Sequence, residues 1–386
     1  MVKSVNHLYE YYFDKYLIEL AFRLAFRGKK KKHPIVQEIL DNLPFHINNF
    51  YNMMYYDMFK PQVHKVRIKR DRISGKPRFI SQPYYYLNAQ GEVCYEHVLH
   101  WVTILILRKF LFKGLYTWSC SAIPGRGAIY GKRHLERYIR EHAHNSEIKY
   151  CLKSDIYHFF QEVDIDKLKT KFKRKIHDER FLNVLFKIID SNIGYYKNQK
   201  MNLGLPLGFY SSQWFANWFL QDFDHFVKER LHLKCYIRYA DDKVILFKNK
   251  KELRQKLEKI KEFLAKEHLS LKSNYQIYRF SYKGKFRDID YMGYRFWRGY
   301  TTLRKTILCS IRKKANKIHN KKLKSYKITY YEAAQFLSYL GYIKHAKIHK
   351  WYMKYIQPKI NITELKSIIS THSKKEVRKV KEAQYV

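Results

Sequence analysis

The spacing of apolar residues along the chain predicts a series of helices separated by short strands. Apolar positions that recur at helical intervals predict helices over 5–27, 93–112, 128–142, 164–189, 209–231 and 250–268. The first of these patterns ends at Gly28, a residue that commonly terminates helices. The pattern over 93–112 is almost wholly apolar, whereas the pattern over 250–268 is charged and amphipathic.

The strand patterns are shorter and are bounded by turn residues. They predict strands within 63–81, 147–154, 235–239, 244–247 and 276–300. The first of these ranges reads as two basic strands joined by a turn that contains Asp71, Ser74 and Gly75. Residues 192–207 carry Gly194, Gly204 and Pro206 and are expected to form a loop.

Charge narrows the class of partner. The 386 residues include 77 Lys or Arg and 34 Asp or Glu, a net charge of +43. An excess of this size repels itself unless a polyanion neutralises it, so nucleic acid is the first partner that we expect. Residues 301–386 alone hold 21 Lys or Arg and 4 Asp or Glu, and they are predicted to be a basic helical surface along a phosphate backbone.

Hydropathy and cysteine spacing argue against a membrane protein, a zinc-binding protein and a disulfide-stabilised secreted protein. No apolar run approaches the length of a membrane-spanning helix, so we expect no membrane partner. The five cysteines are scattered without a Cys-x-x-Cys pair, which argues against a zinc site and against a disulfide scaffold. Such cysteine usage is typical of a reducing compartment, and we expect a cytoplasmic protein.

The first candidate catalytic residues are in the sequence Tyr-Ala-Asp-Asp, which ends at Asp242 between two predicted apolar strands. Adjacent carboxylates are unfavourable unless a cation offsets them, and Mg2+ prefers carboxylate oxygens. A polar hairpin tip without function is the plain alternative. Asp155 ends another predicted strand, and two-metal phosphoryl transfer needs carboxylates from separate strands. We therefore expect two Mg2+ ions, or Mn2+ in their place, at Asp155, Ile156, Asp241 and Asp242.

These motifs and their order resemble the reverse transcriptases over roughly residues 60–350. Asp155 in SDIYHFFQEV matches the first catalytic aspartate of that family, and the run ending at Asp242 matches its Tyr-x-Asp-Asp box. Phe160 matches the steric gate that excludes a ribose 2′-hydroxyl, and GLPLGFYSSQ, from Gly204 to Gln213, matches the segment that holds the template and the nascent base pair. The resemblance implies an α+β fold of the right-hand polymerase type.

The resemblance also implies further binding residues. Lys69 and Arg78 match fingers residues that bind the incoming triphosphate, and Lys272 matches the lysine that protonates pyrophosphate. The expected nucleotide contacts are therefore Lys69, Arg78, Phe160, Gly208, Gln213 and Lys272, and the expected primer grip is Tyr291, Met292 and Gly293. Nucleic-acid contacts are expected at Arg126, Arg304, Lys305, Arg312, Lys313 and Lys344. For Arg126, between two glycines, a plain helix-entry turn is nearly as good an interpretation.

Four subdomains follow from the resemblance. They are an N-terminal helical extension over 1–60, fingers over 61–150, a palm over 151–300 with fingers residues between 165 and 205, and a basic helical thumb with a C-terminal tail over 301–386. We expect neither a His-Asn-His endonuclease nor the carboxylate set of an RNase H.

The function implied by the resemblance is RNA-directed DNA polymerisation, a nucleotidyl transfer from deoxynucleoside triphosphates that yields DNA on an RNA template. Gln213 stands where retroviral and group II intron enzymes usually have Pro, and it resembles bacterial diversity-generating retroelements and the related defence-associated groups. We expect an antiphage defence enzyme with its own structured non-coding RNA.

Several alternatives stay open at this stage. The enzyme of a diversity-generating retroelement is the first, and an accessory protein or a second copy of the chain is a further partner to consider. A template-independent DNA polymerase and a non-catalytic RNA-binding scaffold share the same fold. The three carboxylates argue against the scaffold, which has no need to keep them together.

Overall fold

A computed structural model of the chain describes residues 4–28, 33–70, 75, 77–82, 84, 86–88, 90–142, 148–196, 199–202, 204–282 and 285–383. The predicted turn residues Asp71 and Ser74 and the first residue of the predicted strand 147–154 lie outside these ranges. Within the described ranges, no helix is both long enough and apolar enough to cross a membrane.

Helices form most of the structure. The α-helices are α1 (Lys15–Ala25), α2 (Pro34–Asp41), α3 (Leu43–Tyr55), α4 (Glu96–Phe110), α5 (Ala128–Glu141), α6 (Phe159–Glu162), α7 (Ile165–Lys173), α8 (Glu179–Asp190), α9 (Tyr210–Phe219), α10 (Gln221–His225), α11 (Lys250–Lys266), α12 (Lys305–Leu323), α13 (Tyr330–Ser338), α14 (Leu340–Ile343), α15 (His349–Tyr355) and α16 (Ile362–Ala383). Tyr9–Phe13 and Phe112–Gly114 are 3₁₀ helices, and Phe226–Arg230 is a π-helical turn.

The strands are β1 (His64–Arg70), β2 (Pro77–Gln82), β3 (Tyr150–Asp155), β4 (Ile193–Tyr196), β5 (Gln199–Asn202), β6 (Cys235–Tyr239), β7 (Asp242–Phe247), β8 (Gln276–Arg279), β9 (Ser281–Tyr282), β10 (Lys285–Phe286), β11 (Ile289–Tyr291), β12 (Tyr294–Phe296) and β13 (Thr301–Leu303). They form sheets in the orders β6–β7–β3–β8, β2–β1–β4–β5, β11–β12–β13 and β10–β9. Strand β7, which begins at Asp242, therefore lies between β6 and β3, and β3 ends at Asp155.

The predicted loop over 192–207 is wrong in part. Strands β4 and β5 form an antiparallel hairpin there, and β4 also pairs in parallel with β1, so that His64 faces Gly194. Strands β4 and β5 show little alternation of apolar and polar residues, so their sequence alone does not indicate strands. Their position is set by the pairing of β4 with β1, which is distant in sequence.

Three predicted single helices are also interrupted, and one of them, the pattern over 164–189, divides into α7 and α8. The pattern over 5–27 divides because Asp14 has an extended backbone and its carboxylate accepts hydrogen bonds from Tyr16 and Leu17, so α1 starts at Lys15. The pattern over 209–231 divides into α9, α10 and the π-helical turn. Within it, Asp224 is completely buried, where it meets Arg238, and this non-local partner is absent from the helical pattern.

Contacts divide the chain into two compact units, which differ from the predicted subdomains. The first comprises Met1–Gly127, Leu152–Ile245 and Lys251–Gln276. In its core α4 is buried almost all round, as its apolar sequence predicts, and it packs against α1 and α9. The second comprises Ala128–Cys151, Leu246–Lys250 and Ile277–Val386, with a core that includes Tyr294, Phe296, Ile311 and Phe336. The predicted subdomain boundaries stay predictions.

Candidate active site

The first unit brings the predicted carboxylates together. Asp155 is the last residue of β3, and the turn between β6 and β7 carries Asp241 and leads into Asp242. The backbone amide of Ile156 donates a hydrogen bond of 3.4 Å to the carbonyl oxygen of Asp241, which joins the end of β3 to the turn. The convergence expected from the sequence is therefore present in the fold.

Burial and a neighbouring carboxylate alter the charge state of Asp241 in this cluster. Burial first, and then the neighbouring carboxylate of Asp155, raise the pKa of Asp241 to about 7. The Oδ1 atom of Asp155 is buried and receives no hydrogen bond from the described residues. Its Oδ2 atom forms an ion pair with Lys272, whose backbone amide also donates to the carbonyl oxygen of Asp155 at 2.9 Å. Lys272 therefore lies at the site, as the resemblance implied.

Lys243 is a component of the site that sequence reasoning missed. Its side chain is buried and its Nζ donates a hydrogen bond of 3.0 Å to the carbonyl oxygen of Asp241. Burial lowers the pKa of Lys243 to about 8, although the charges of Asp155, Asp241 and Asp242 act in the opposite direction. A lysine directly after the Asp-Asp pair, within an otherwise apolar strand, was the signal available in the sequence.

The oxygen atoms of this cluster meet part of what a magnesium ion requires. Within the part of the chain that the structure describes, no group of three or more His, Cys, Asp or Glu side chains is arranged to hold a metal by itself. Mg2+ at nucleotide sites commonly binds through one or two carboxylates and substrate phosphates. The facing carboxylates of Asp155 and Asp241 fit that mode. Ile156 has an apolar, buried side chain and offers only its backbone carbonyl oxygen, so its place in the metal site stays a prediction.

A buried network of hydrogen bonds and one ion pair stabilises the turn between β6 and β7. Ala240 has a φ of +56°, a left-handed conformation that is unfavourable for a residue with a Cβ. Arg238 donates from Nη1 to the carbonyl oxygen of Ala240 at 3.0 Å and from Nη2 to Asp224 at 2.6 Å. The side chains of Arg238 and Asp224 are both fully buried, and Tyr236 donates to the same aspartate. The network fixes the strained turn that carries Asp241.

The predicted triphosphate ligands lie on the hairpin formed by β1 and β2. Lys69 and Arg78 are directly opposite each other in this antiparallel pair, and both are exposed. Like charges at directly opposed positions are destabilising, and an anion placed between them would remove the repulsion. The antiparallel pairing of β1 and β2 confirms the predicted pair of strands. The two opposed positive charges on it suit the binding of a phosphate group.

The expected nucleotide pocket is assembled from three segments of the first unit. Phe160 is half-buried at the start of α6, and the backbone amide of Leu205 donates to its carbonyl oxygen at 2.7 Å. The amide of Ser81 in β2 donates to the carbonyl oxygen of Leu207 at 2.8 Å. Gly208 follows, and Gln213 is exposed in the first turn of α9. The structure thus links the residues of the predicted gate and pocket through their backbones.

The predicted nucleic-acid contacts fall into two groups. Lys305, Arg312, Lys313 and Lys344 are exposed in the second unit. Arg304 instead pairs with Asp290 at 2.6 Å, and Arg126 in the first unit donates to the carbonyl oxygen of Tyr116 at 2.8 Å. The contact of Arg126 favours the plain helix-entry interpretation for that residue.

The predicted primer grip is a hairpin turn of the second unit. Tyr291 is completely buried, so its side chain packs in the core, and only Met292 and Gly293 are partly exposed between β11 and β12. The carbonyl oxygen of Gly293 accepts a hydrogen bond of 3.0 Å from the amide of Arg304, which ties the turn to the start of α12.

The chain was compared with known proteins. Residues 97–296 match the family described as "Reverse transcriptase (RNA-dependent DNA polymerase)". Two solved structures that resemble the chain are telomerases from Candida tropicalis and Candida albicans, each in complex with a fragment of telomeric RNA. Both are 13% identical to the chain, with TM-scores of 0.46 and 0.47, and the matches cover 67% and 66% of this chain. They cover 49% of each telomerase chain, so this chain spans about half the length of those proteins.

The family match covers the segment that carries all three predicted catalytic carboxylates, and it extends over more than half of the chain. It confirms the α+β class of the right-hand polymerases that the sequence predicted. The chain belongs to the reverse transcriptase family.

Proposed function

We propose that this chain is an RNA-directed DNA polymerase, which extends a DNA strand on an RNA template from deoxynucleoside triphosphates. The observation that carries the proposal is the meeting of Asp155 and Asp241, from separate strands, beside Lys272 and Lys243. Burial and the neighbouring Asp155 carboxylate raise the pKa of Asp241, and perturbed carboxylates beside lysines are typical of sites that bind further charged ligands.

Magnesium or manganese ions fit this donor set. The Asp155 and Asp241 carboxylates would hold them together with the nucleotide phosphates, and Asp242 at the first position of β7 would complete the set. The buried Oδ1 of Asp155, which accepts no hydrogen bond from the described residues, supports this assignment because a buried acceptor otherwise loses its solvation. When bound, such ions make a 3′-hydroxyl more acidic and offset the charge that develops on phosphate oxygens.

The remaining residues of the first unit bind and orient the substrates. Lys69 and Arg78 hold the triphosphate from opposite strands of their hairpin. Lys272 is paired with Asp155, and its Nζ would donate a proton to the leaving pyrophosphate. Phe160 excludes a 2′-hydroxyl, while Gly208 and Gln213 shape the pocket of the nascent base pair.

The template partner is RNA, and the exposed lysines and arginines of the second unit are proposed to follow its backbone. Lys305, Arg312 and Lys313 lie on α12, and Lys344 follows α14. The net charge of +43 supports the binding of a large polyanion, such as a structured non-coding RNA.

We further propose a role in bacterial antiphage defence, in the cytoplasm, with a cognate structured RNA as template. Gln213 in the pocket motif supports this placement over retroviral or intron-encoded enzymes. The runner-up is the enzyme of a diversity-generating retroelement. The gene neighbourhood separates them: a near-duplicate repeat pair that differs at adenines indicates the retroelement, and a lone non-coding RNA cassette indicates defence.

The proposed activity is tested by primer extension on an RNA template of defined sequence, with and without Mg2+. We expect magnesium-dependent DNA product complementary to the added template. Product whose sequence ignores the template would indicate a template-independent polymerase. RNA binding without any incorporation would indicate a scaffold. Asp166→Asn, at an exposed aspartate in the first turn of α7, is the matched control for changes at the catalytic aspartates.

A further inference from the structure

The turn between α12 and α13 presents an unusual surface in the second unit. Leu323, Tyr326 and Tyr331 are 72%, 64% and 72% exposed, so three large apolar side chains within nine residues of sequence are open to solvent. We call the segment 323–331 the aromatic turn. It belongs to the basic range 301–386, but none of its residues is among the individual nucleic-acid contacts named above.

The aromatic turn is held in one conformation by its own hydrogen bonds. The amide of Tyr326 donates to the carbonyl oxygen of Lys321 at 2.9 Å, and that of Ser325 donates to the carbonyl oxygen of Lys322 at 2.9 Å. On the far side, Thr329 and Glu332 form a reciprocal capping box at the start of α13. The exposure of the three apolar side chains is therefore built into an ordered backbone.

Ion pairs fasten the two sides of the aromatic turn to each other. Lys321 of α12 pairs with Glu332 of α13 at 2.9 Å, and the contact lowers the pKa of Glu332 to about 2. Lys322 pairs with Glu364 of α16. Both acidic side chains in contact with this region are thus already neutralised by lysines that precede the aromatic turn.

The charge around the aromatic turn is of one sign. Residues 305–331 contain nine Lys or Arg and no Asp or Glu. Lys324 and Lys327 are exposed within the aromatic turn and have no ion-pair partner among the described residues. Exposed tyrosine rings close in sequence to these two lysines suit a ligand that carries both flat apolar groups and regularly spaced negative charges.

We propose that the aromatic turn binds single-stranded RNA by stacking bases on Tyr326 and Tyr331 while Lys324 and Lys327 contact the phosphates. Stacking on aromatic side chains in a basic groove is the general mode for unpaired nucleic acid, because every base has a flat face. Paired bases in a duplex cannot offer those faces, so the surface discriminates single strands from duplex. The proposal adds a contact for unpaired template to the proposed function, on which its biological meaning rests.

The test measures equilibrium binding of the full chain to a labelled, unstructured oligouridine and to a labelled RNA duplex by fluorescence anisotropy. In Tyr326→Ser/Tyr331→Ser we expect about a 10-fold or larger loss of affinity for the single strand, with duplex affinity nearly unchanged. Tyr326→Phe/Tyr331→Phe should retain the affinity, because phenylalanine also stacks. Tyr16→Ser is the control, since Tyr16 on α1 is 87% exposed but lies in the first unit.

A second measurement addresses the lysines. Lys324→Ser/Lys327→Ser should reduce the slope of log affinity against log salt by about 0.7 for each lost phosphate contact on the single strand. Unchanged single-strand affinity in the double tyrosine variant, or an equal loss for duplex, would overturn the proposal. Primer extension on a short pre-annealed template is measured in parallel. Failure of incorporation in the unmodified chain would remove the polymerase proposal while leaving the binding result to stand on its own.

Discussion

The backbone amide of Leu205 donates a hydrogen bond of 2.7 Å to the carbonyl oxygen of Phe160. This bond joins the segment that carries the predicted sugar gate to the loop that leads into α9. Gly204, beside Leu205, lies so close that an added Cβ would stand 2.4 Å from the same oxygen. We therefore expect a shift of the loop to move Phe160, and the proposed sugar selection to depend on the shape of the proposed base-pair pocket.

Removal of the gate side chain should change sugar selection. In Phe160→Ala, a ribose 2′-hydroxyl no longer meets the half-buried ring, so incorporation of ribonucleotides relative to deoxynucleotides should rise by about 10-fold or more. The ratio of kcat/KM values for the two triphosphates measures this directly. Tyr157→Ala, at a neighbouring residue that is 48% exposed, should leave the ratio unchanged. An unaltered sugar preference in Phe160→Ala would reject the gate.

A Cβ at Gly208 should disturb the pocket through β2. Gly208 has a φ of +122°, and an added Cβ would stand 2.2 Å from the carbonyl oxygen of Ser81. Gly208→Ala must therefore push the loop away from β2, at a cost of about 1–3 kcal/mol of stability, and we expect a higher KM for deoxynucleotides. Gly127→Ala is the control, because no heavy atom described by the structure would lie within 4 Å of its Cβ. Equal KM values for the two variants would contradict this role.

The buried pair of Arg238 and Asp224 should affect both stability and catalysis. Loss of one partner leaves a buried charge uncompensated, so Asp224→Asn should lower the free energy of unfolding by about 3–5 kcal/mol. Urea titration measures this loss. An apolar replacement of the whole pair, Asp224→Leu/Arg238→Met, should restore much of the stability, because no buried charge remains.

Catalysis should not recover with stability in that double variant. Met cannot donate to the carbonyl oxygen of Ala240, so the strained turn that carries Asp241 loses its support. We expect kcat to remain well below that of the unmodified chain, with little change in RNA affinity. A stable double variant with full kcat would show that the pair serves folding alone.

The carboxylate cluster should give the metal-free protein a distinctive dependence on pH. The pKa of Asp241 is raised from 3.8 to about 7, so between these values the folded chain retains a proton that the unfolded chain has released. The free energy of unfolding should therefore fall as pH rises through this window, and Asp241→Asn should flatten the trend. Urea titrations in the presence of a chelator measure the slope. A slope that persists in Asp241→Asn as fully as in the Asp166→Asn control would contradict the assignment.

Local patterns made part of the site predictable. Asp155 ends a strand, and the Asp-Asp pair lies between two apolar strands, so each motif is visible within a few residues of sequence. Lys243 and the pair of Arg238 and Asp224 were missed, because their importance arises from burial. Burial depends on how β3, β6, β7 and α10 pack, and the one local signal, a lysine within an apolar strand at Lys243, does not by itself show where that side chain lies.

The fold shows the same division between local and distant causes. Helices α5 and α11 were predicted to within a few residues, because their amphipathic patterns and their ends are local. The hairpin of β4 and β5 was predicted as a loop, since its position depends on pairing with β1. The breaks in the first, fourth and fifth predicted helices depend on the caps at Asp14 and Asp178 and on the buried Asp224.

The central claim is that Asp155 and Asp241 act together on one reaction, and it is tested most directly by single-turnover incorporation of one deoxynucleotide on an annealed RNA template. Asp241→Asn and Asp155→Asn should each slow incorporation by more than about 100-fold at saturating Mg2+, while the affinity for the template stays within a factor of about two. Their double variant should be no slower than either single variant, because the two carboxylates serve the same step. Incorporation by Asp241→Asn at the rate of the Asp166→Asn control would contradict the account.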